Sequence, residues 1–213
     1  MHKSICLPVC LLLALHLCAQ EPDEETVPGL CGTPPGTSLF FKNFEANRGD
    51  FPEFSTDTLY AGVQVHLLAR DNGAGRLAFD KMLDAFCQLN RDFAPSNIQF
   101  FYKFDWNLID STTWFQHSTI PKGIEMMLTN NVPGALNAYF MGTAAGNAGY
   151  NLPYAGVAVR NVDATLNNHT WTHEVGHALA LEHPFIGWEN TNYNPNQPTP
   201  ERVIYDYTYF HDT

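Results

Sequence analysis

The clearest alternation of apolar and polar positions lies in the first half of the chain. Residues 63–68 alternate with period two, with Val63, Val65 and Leu67 on one face, which predicts a largely buried strand. After the turn sequence Asp71-Asn72-Gly73, apolar side chains recur at helical spacing, which predicts a long amphipathic helix from Arg76 to Phe93. The apolar positions of this helix are Phe79, Met82, Leu83, Phe86 and Phe93.

The rest of the chain adds shorter elements of both kinds. Strands are predicted at 98–104, 135–141 and 156–160, with a short helix at 123–128 and a loop over 142–154. A last helix is predicted from near His169 to near Ala180. The order strand, helix, strand, strand, strand, helix predicts an α+β fold, in which a mixed sheet is backed by two helices.

The N-terminal region has the pattern of an export signal. Residues 1–20 contain Lys3 and an apolar run, and an acidic continuation follows from Glu21; the run is shorter than the roughly 20 residues that cross a bilayer. We therefore expect a cleaved signal peptide, a secreted, extracellular protein and no membrane span. Lipidation at Cys18 is the alternative. Residues 21–54 are rich in Pro, Gly and acidic residues, which indicates a leader or propeptide, and 55–213 form the remaining domain.

Composition limits what this domain can be. The hydrophobic fraction of 45% is enough for a core, and signal cleavage leaves only Cys31 and Cys87, too few for a fold built on disulfides. A formal net charge of -11 leaves no basic stripe, so no nucleic-acid partner is expected.

One short segment has the spacing of a catalytic metal site. His173 and His177 are four residues apart, so a helix places both on one face, with Glu174 beside them. His183 follows six residues later, which requires the chain to turn sharply after about Ala180. Three neutral imidazoles leave a fourth position on a zinc ion for water, as catalytic zinc requires. The alternative is a pair of ordinary surface histidines beside a solvated glutamate.

These residues resemble the metzincin clan of zinc peptidases and, within it, the pappalysin or cytophagalysin family. The clan signature HExxHxxGxxH is matched by His173, Glu174, His177 and His183, with Ala180 at the usual glycine. Segments 64–67, 89–94 and 98–100 resemble the first strand, helix and second strand of the family. Segment 136–140 resembles the edge strand that binds substrate. The similarity extends over roughly Leu59 to Thr208.

The resemblance implies a metzincin catalytic domain, with a mostly parallel twisted sheet, two long helices and a small C-terminal lobe. It also implies that Tyr205-Asp206-Tyr207-Thr208 is the Met-turn segment, with Tyr205 at the methionine position. Tyr207 then matches a tyrosine that stabilises the tetrahedral intermediate near the metal, although it could also be a packed aromatic residue. HExxH proteins of another group use a distant glutamate as third ligand, but His183 makes Glu201 unnecessary.

The function implied is that of a secreted zinc-dependent endopeptidase. It would hydrolyse protein substrates with metal-activated water and Glu174 as general base, and bind the peptide along an edge strand. The alternative is a catalytically weak or inactive metzincin-like zinc-binding protein, which the changes at Ala180 and Tyr205 motivate. Alanine resists the positive φ that glycine permits, at a cost on the order of 1 kcal/mol.

Two further expectations concern the leader and a second metal. The setting of Cys31 resembles the family's propeptide, so its thiolate could occupy the open zinc position in a latent zymogen. The alternatives are a disulfide with Cys87 or an idle thiol. The family often binds calcium, and one polar loop could supply oxygen ligands for it. The alternative is that this loop is an ordinary solvated segment. The candidate ligands are Glu189, Asn190, Asn192 and Asn194.

Overall fold

A computed structural model describes residues 31–33, 39–51, 56–181 and 183. The helices are α1 (Leu39–Ala46), α2 (Phe79–Phe93), α3 (Thr112–Phe115), α4 (Ile120–Asn130) and α5 (Thr170–Ala178). The strands are β1 (Leu59–Ala69), β2 (Ile98–Tyr102), β3 (Asn107–Asp110), β4 (Gln116–His117), β5 (Leu136–Met141), β6 (Thr143–Ala144), β7 (Gly149–Leu152) and β8 (Gly156–Arg160).

The main sheet has the order β2-β1-β5-β8-β7, and every pairing along it is parallel except that of β7 with β8. Strand β1 is long enough to pair β2 with its first half and β3 with its second half. A separate pair is formed by β4 and β6. This arrangement confirms the predicted α+β class with a mixed, mostly parallel sheet.

Helices cover both faces of the sheet, which explains why β1 is buried from Val63 to Ala69. Val63, Val65 and Leu67 pack on the face that carries α2 and α5, in a core that includes Leu89 and Trp171. The opposite face belongs to a second core cluster, which includes Met126 of α4. Parallel strands buried on both faces are typical of this layered architecture.

The sheet order corrects the prediction for the substrate-binding strand. Strand β5, predicted as an edge from its resemblance at 136–140, pairs with β1 on one side and β8 on the other. The prediction was therefore wrong, because both rows of its backbone groups are already bonded. The strand that ends the sheet beside α5 is β7, in the segment 142–154 that was predicted to be a loop. Its four residues include glycine and asparagine, so pairing with β8 rather than local propensity makes it a strand.

Other boundaries also differ from the predicted ones. Helix α2 begins at Phe79 rather than Arg76, because the Arg76 side chain reaches the Leu67 carbonyl and the Asp110 carboxylate. Helix α1 lies in the leader, where no helical period was evident, and its Phe44 ring packs 5.1 Å from that of Phe51. Strand β3 was not predicted.

Several predictions lie outside the described residues: the signal peptide at 1–20, Cys18, the calcium loop, Glu201, Tyr205, Tyr207 and the C-terminal lobe. Within the part of the chain that the structure describes, no helix is long and apolar enough to span a bilayer.

Candidate metal centre and active site

Helix α5 carries the first two metal-ligand candidates. Its buried side is anchored in the core by Trp171 and Val175, and the Phe140 ring meets that of Trp171 edge-on at 4.8 Å. The helical rise then places His173 and His177 on the opposite side, one turn apart, as predicted. The core contact therefore fixes the direction in which both imidazoles point.

A Schellman turn ends α5 and returns the chain toward the histidines. The Leu181 N–H bonds to the Gly176 carbonyl at 3.0 Å, and the Ala180 N–H bonds to the His177 carbonyl at 2.9 Å. Ala180 adopts φ 73°, in the left-handed region where glycine is favoured. The turn predicted near Ala180 is confirmed, and an L-residue occupies its most strained position.

The three histidines converge on one point. The Nε2 atoms of His173, His177 and His183 lie 3.0, 3.1 and 3.2 Å apart in pairs. Nitrogens bound at about 2.05 Å to a tetrahedral zinc ion would be about 3.3 Å apart. The Sγ atom of Cys31 lies 3.4 Å from Nε2 of His177, against about 3.6 Å for a thiolate and an imidazole on such an ion. The four donor atoms all lie within 4.8 Å of one another, so this group could hold one metal ion.

The electrostatics of the cluster favour neutral rings that can accept a cation. Burial, and then the charges of His177 and His183, lower the pKa of His173 to about 4. Burial also lowers the pKa of His177. The Nδ1 atom of His177 lies 2.8 Å from the Leu181 carbonyl, so that nitrogen carries the proton and Nε2 keeps its lone pair for a metal.

Glu174 lies beside the cluster and is fully buried. Burial raises its pKa to about 7, although hydrogen bonds from Thr33 and Cys31 act in the opposite direction. The close packing depends on Gly149, because a Cβ there would lie 2.9 Å from Cγ of Glu174 and 2.8 Å from the Ala158 carbonyl oxygen. Oε1 of Glu174 makes no hydrogen bond to the described residues. A carboxyl with a pKa near neutrality can both take and return a proton.

The leader segment 31–33 closes the site from outside. Cys31 pairs with Gly149 in a parallel bridge, and the Gly32 N–H bonds to the Gly149 carbonyl at 2.8 Å. Cys31 and Cys87 are both free, so the disulfide alternative is wrong. Burial, and then the Glu174 carboxylate, raise the pKa of the Cys31 thiol to about 11. The thiol therefore needs a neighbouring cation before it can ionise at neutral pH.

A third carboxylate, Asp92 at the end of α2, holds the start of α5. It accepts hydrogen bonds from Thr172 Oγ1 at 2.5 Å, His169 Nδ1 at 2.8 Å and Gln88 Nε2 at 2.7 Å. Burial alone would raise the pKa of Asp92, but these bonds outweigh it and lower the pKa. Asp92 thus fixes the helix one residue before the first ligand, His173.

The structure brings His173, Glu174, His177 and His183 together as the sequence predicted, whereas Tyr207 lies outside the described residues. His66 and His117 are buried outside this cluster, and His169 is exposed. Sequence reasoning missed Thr33, Gly149 and Asp92. Only Thr33 left a signal, since residues two apart in an extended segment face the same side and Cys31 was already a candidate.

Comparison with known proteins gives a fold and no family. No protein-family model matches the chain, and no curated protein matches it. Among solved structures it is similar to a mutant of promirolysin from Tannerella forsythia, with 15% sequence identity and a TM-score of 0.53. The match covers 68% of this chain and 63% of that chain, so this chain spans less than two thirds of its length. The similarity shows that the fold resembles that of promirolysin.

Proposed function

We propose that this protein is a secreted zinc-dependent endopeptidase of the metzincin type, with its relatives among the pappalysins or cytophagalysins, and that it is made as a latent zymogen. The observation that carries the proposal is the convergence of three imidazole Nε2 atoms within 3.2 Å of one another beside a buried glutamate. The similarity of the fold to that of promirolysin supports it. Export rests on the sequence pattern of residues 1–20.

Zinc fits the donor set of His173, His177 and His183 better than a hard cation would, because imidazole and thiolate ligands suit zinc and carboxylates suit calcium or magnesium. When bound, zinc would polarise the scissile carbonyl and lower the pKa of a water molecule. The chain's own part is to keep the rings of His173 and His177 neutral and to orient them. The bond from His177 Nδ1 to the Leu181 carbonyl does this for one of them.

Glu174 is the proposed general base and acid. Its Oε2 would accept a proton from the attacking water and then deliver that proton to the leaving amine nitrogen. A pKa raised to about 7 by burial suits both transfers at neutral pH. Tyr207 keeps the role that the resemblance implies, as a donor to the developing oxyanion.

The substrate backbone is proposed to lie along β7, in the place of the leader. The Gly149 carbonyl and the Asn151 N–H of this strand bond to Gly32 and Thr33 of the leader. Main-chain bonds of this kind hold an extended peptide largely independently of its side chains, which suits an endopeptidase of protein substrates. Removal of the leader would free both groups.

Latency is proposed to come from Cys31. Its sulfur lies 3.4 Å from His177 Nε2 and within 4.8 Å of the other two imidazoles, close enough to bind the same ion. As a thiolate it would keep water and substrate from that position. The Cys31→Ala chain should therefore show activity before the leader is cut.

The test compares the full chain with Glu174→Gln and His173→Ala variants, after limited proteolysis has removed the leader from each. Cleavage of an unfolded protein is measured together with zinc content. We expect equal zinc in the parent and Glu174→Gln, a loss of turnover by roughly 10² to 10⁴ in that variant, and loss of zinc in His173→Ala. Equal zinc without cleavage by the parent would instead support the inactive zinc-binding alternative.

A further inference from the structure

The hydroxyl of Thr33 lies between two different parts of the candidate site. It donates to Oε2 of Glu174 at 2.9 Å and accepts from the Asn151 N–H at 2.8 Å. A threonine hydroxyl has one proton and two lone pairs, so it can make both bonds at once. Thr33 therefore connects the buried carboxylate of α5 to the backbone of the edge strand β7.

Both partners of this hydroxyl are groups that catalysis would need. Oε2 of Glu174 is the oxygen proposed to accept the proton of water, and the Thr33 hydroxyl already donates to it. The Asn151 N–H is a main-chain donor that a bound peptide carbonyl would otherwise use. The Thr33 hydroxyl thus donates to Glu174 as the attacking water would, and it accepts from the Asn151 N–H as a substrate carbonyl would.

This contact is separate from that of Cys31, which lies 3.6 Å from Oε2 and 3.4 Å from His177 Nε2. Among the described residues, the Thr33 hydroxyl makes the shorter of the two hydrogen bonds to Oε2 of Glu174, at 2.9 Å against 3.6 Å for Cys31. A hydrogen bond to a fully buried acceptor is costly to lose, because the acceptor is then left unsatisfied.

We propose that Thr33 is a second inhibitory contact, which occupies the base Glu174 and the edge donor of Asn151 while Cys31 occupies the metal position. The inhibitory meaning of this contact rests on the proposed function. The docking of Thr33 against Glu174 does not, and it can be measured without zinc or substrate.

The first experiment measures alkylation of Cys31 by iodoacetamide in the full chain, freed of metal by a chelator. Peptide mapping follows Cys31 and Cys87 together, and the exposed Cys87 serves as internal reference. Thr33→Val keeps the shape but removes both bonds, and should raise the Cys31 rate on the order of tenfold relative to Cys87. Thr33→Ser keeps the hydroxyl and should retain the parent rate. An unchanged ratio in Thr33→Val would overturn the proposal.

A double-mutant cycle separates this contact from a general loosening of the leader. In a Glu174→Ala background, Thr33→Val should change the Cys31 rate by a much smaller factor than in the parent, because the acceptor is already gone. Equal factors in the two backgrounds would show that Thr33 does not act through Glu174, and would overturn the proposal.

Activity of the uncut chain then tests the inhibitory role. Cys31→Ala should release part of the activity, and Cys31→Ala with Thr33→Val should release severalfold more, while gels confirm that the leader is still attached. After leader removal all variants should be equal. No gain from Thr33→Val in an active enzyme would refute the second contact. If no variant has activity but the alkylation cycle holds, the docking stands and the proposed peptidase function fails.

Discussion

Nδ1 of His177 lies 2.8 Å from the carbonyl oxygen of Leu181, a residue of the turn that ends α5. The same residue donates its N–H to the Gly176 carbonyl, so one turn both closes the helix and fixes the tautomer of a metal-ligand candidate. The backbone of that turn and the chemistry of the site are therefore coupled through Leu181.

Ala180→Gly should stabilise the protein. Ala180 has φ 73°, which a Cβ resists, so glycine should raise the free energy of unfolding by about 0.5–1 kcal/mol. Urea unfolding would measure this value. The matched control is Ala178→Gly at the last residue of the helix, where glycine should cost a similar amount. A loss of stability in Ala180→Gly would contradict this account of the turn.

If the proposed function holds, Gly149→Ala should lower the activity of the protein after leader removal but leave its zinc content unchanged. The new Cβ would lie 3.0 Å from Oε1 of Glu174 and 2.8 Å from the Ala158 carbonyl oxygen, so the carboxylate must shift. We expect turnover to fall at least roughly tenfold, since a positioned base contributes 10² or more. Zinc content and kcat are the measurements. Gly73→Ala, in the turn after β1, meets nothing within 4 Å and is the control for kcat, and equal kcat in both variants would contradict the prediction.

Asp92→Ala should loosen the start of α5. The carboxylate is mostly enclosed and accepts bonds from Thr172, His169 and Gln88, so its removal should cost about 2 kcal/mol in the free energy of unfolding. Asp84→Ala, on the same helix, removes a carboxylate that is 44% exposed and 3.7 Å from Lys81, and should cost less than about 0.5 kcal/mol. Similar losses in the two variants would show that Asp92 does not anchor the helix.

His66 should make stability depend on pH. Burial lowers its pKa from 6.5 to about 4, although its bond to Asn137 acts in the opposite direction. Between pH 6.5 and 4 the unfolded chain therefore binds a proton on His66 that the folded chain does not. The lowered pKa of His66 therefore contributes to the free energy of unfolding in full above pH 6.5. This contribution is lost as the pH falls, by roughly 2 kcal/mol from pH 7 to pH 5.

The measurement is urea unfolding of the parent and His66→Gln at both pH values. The parent should lose more stability than the variant on acidification. Tyr139→Phe, which alters the ring stacked 4.1 Å from His66 but leaves the imidazole, should keep the pH dependence of the parent. An equally steep loss in His66→Gln would assign the effect to other groups.

The ligands and the base could be predicted because they lie close together in sequence on one helix and its turn, where spacing determines geometry. His173, Glu174 and His177 needed only the helical period, and β1 needed only the alternation of its apolar positions. The class of the fold followed from the order of such elements.

The edge of the sheet could not be predicted in the same way. Strand β7 is four residues long and is held by pairing with β8, a contact that no local period reveals. The resemblance at 136–140 correctly identified strand β5. Whether β5 lies at an edge, however, depends on the order of all the strands in the sheet. Asp92 and Thr33 likewise act through partners 80 and 141 residues away in sequence.

The pairing of Cys31 with Gly149 has a consequence for solubility. A strand at the end of a sheet offers unpaired backbone groups that can recruit a strand from another molecule. While the leader is in place, it bonds to the Gly149 carbonyl and the Asn151 N–H, so this edge is covered. Cutting the leader would expose the edge of β7. At high concentration and with no peptide bound along β7, the cut protein should therefore self-associate more readily than the uncut chain.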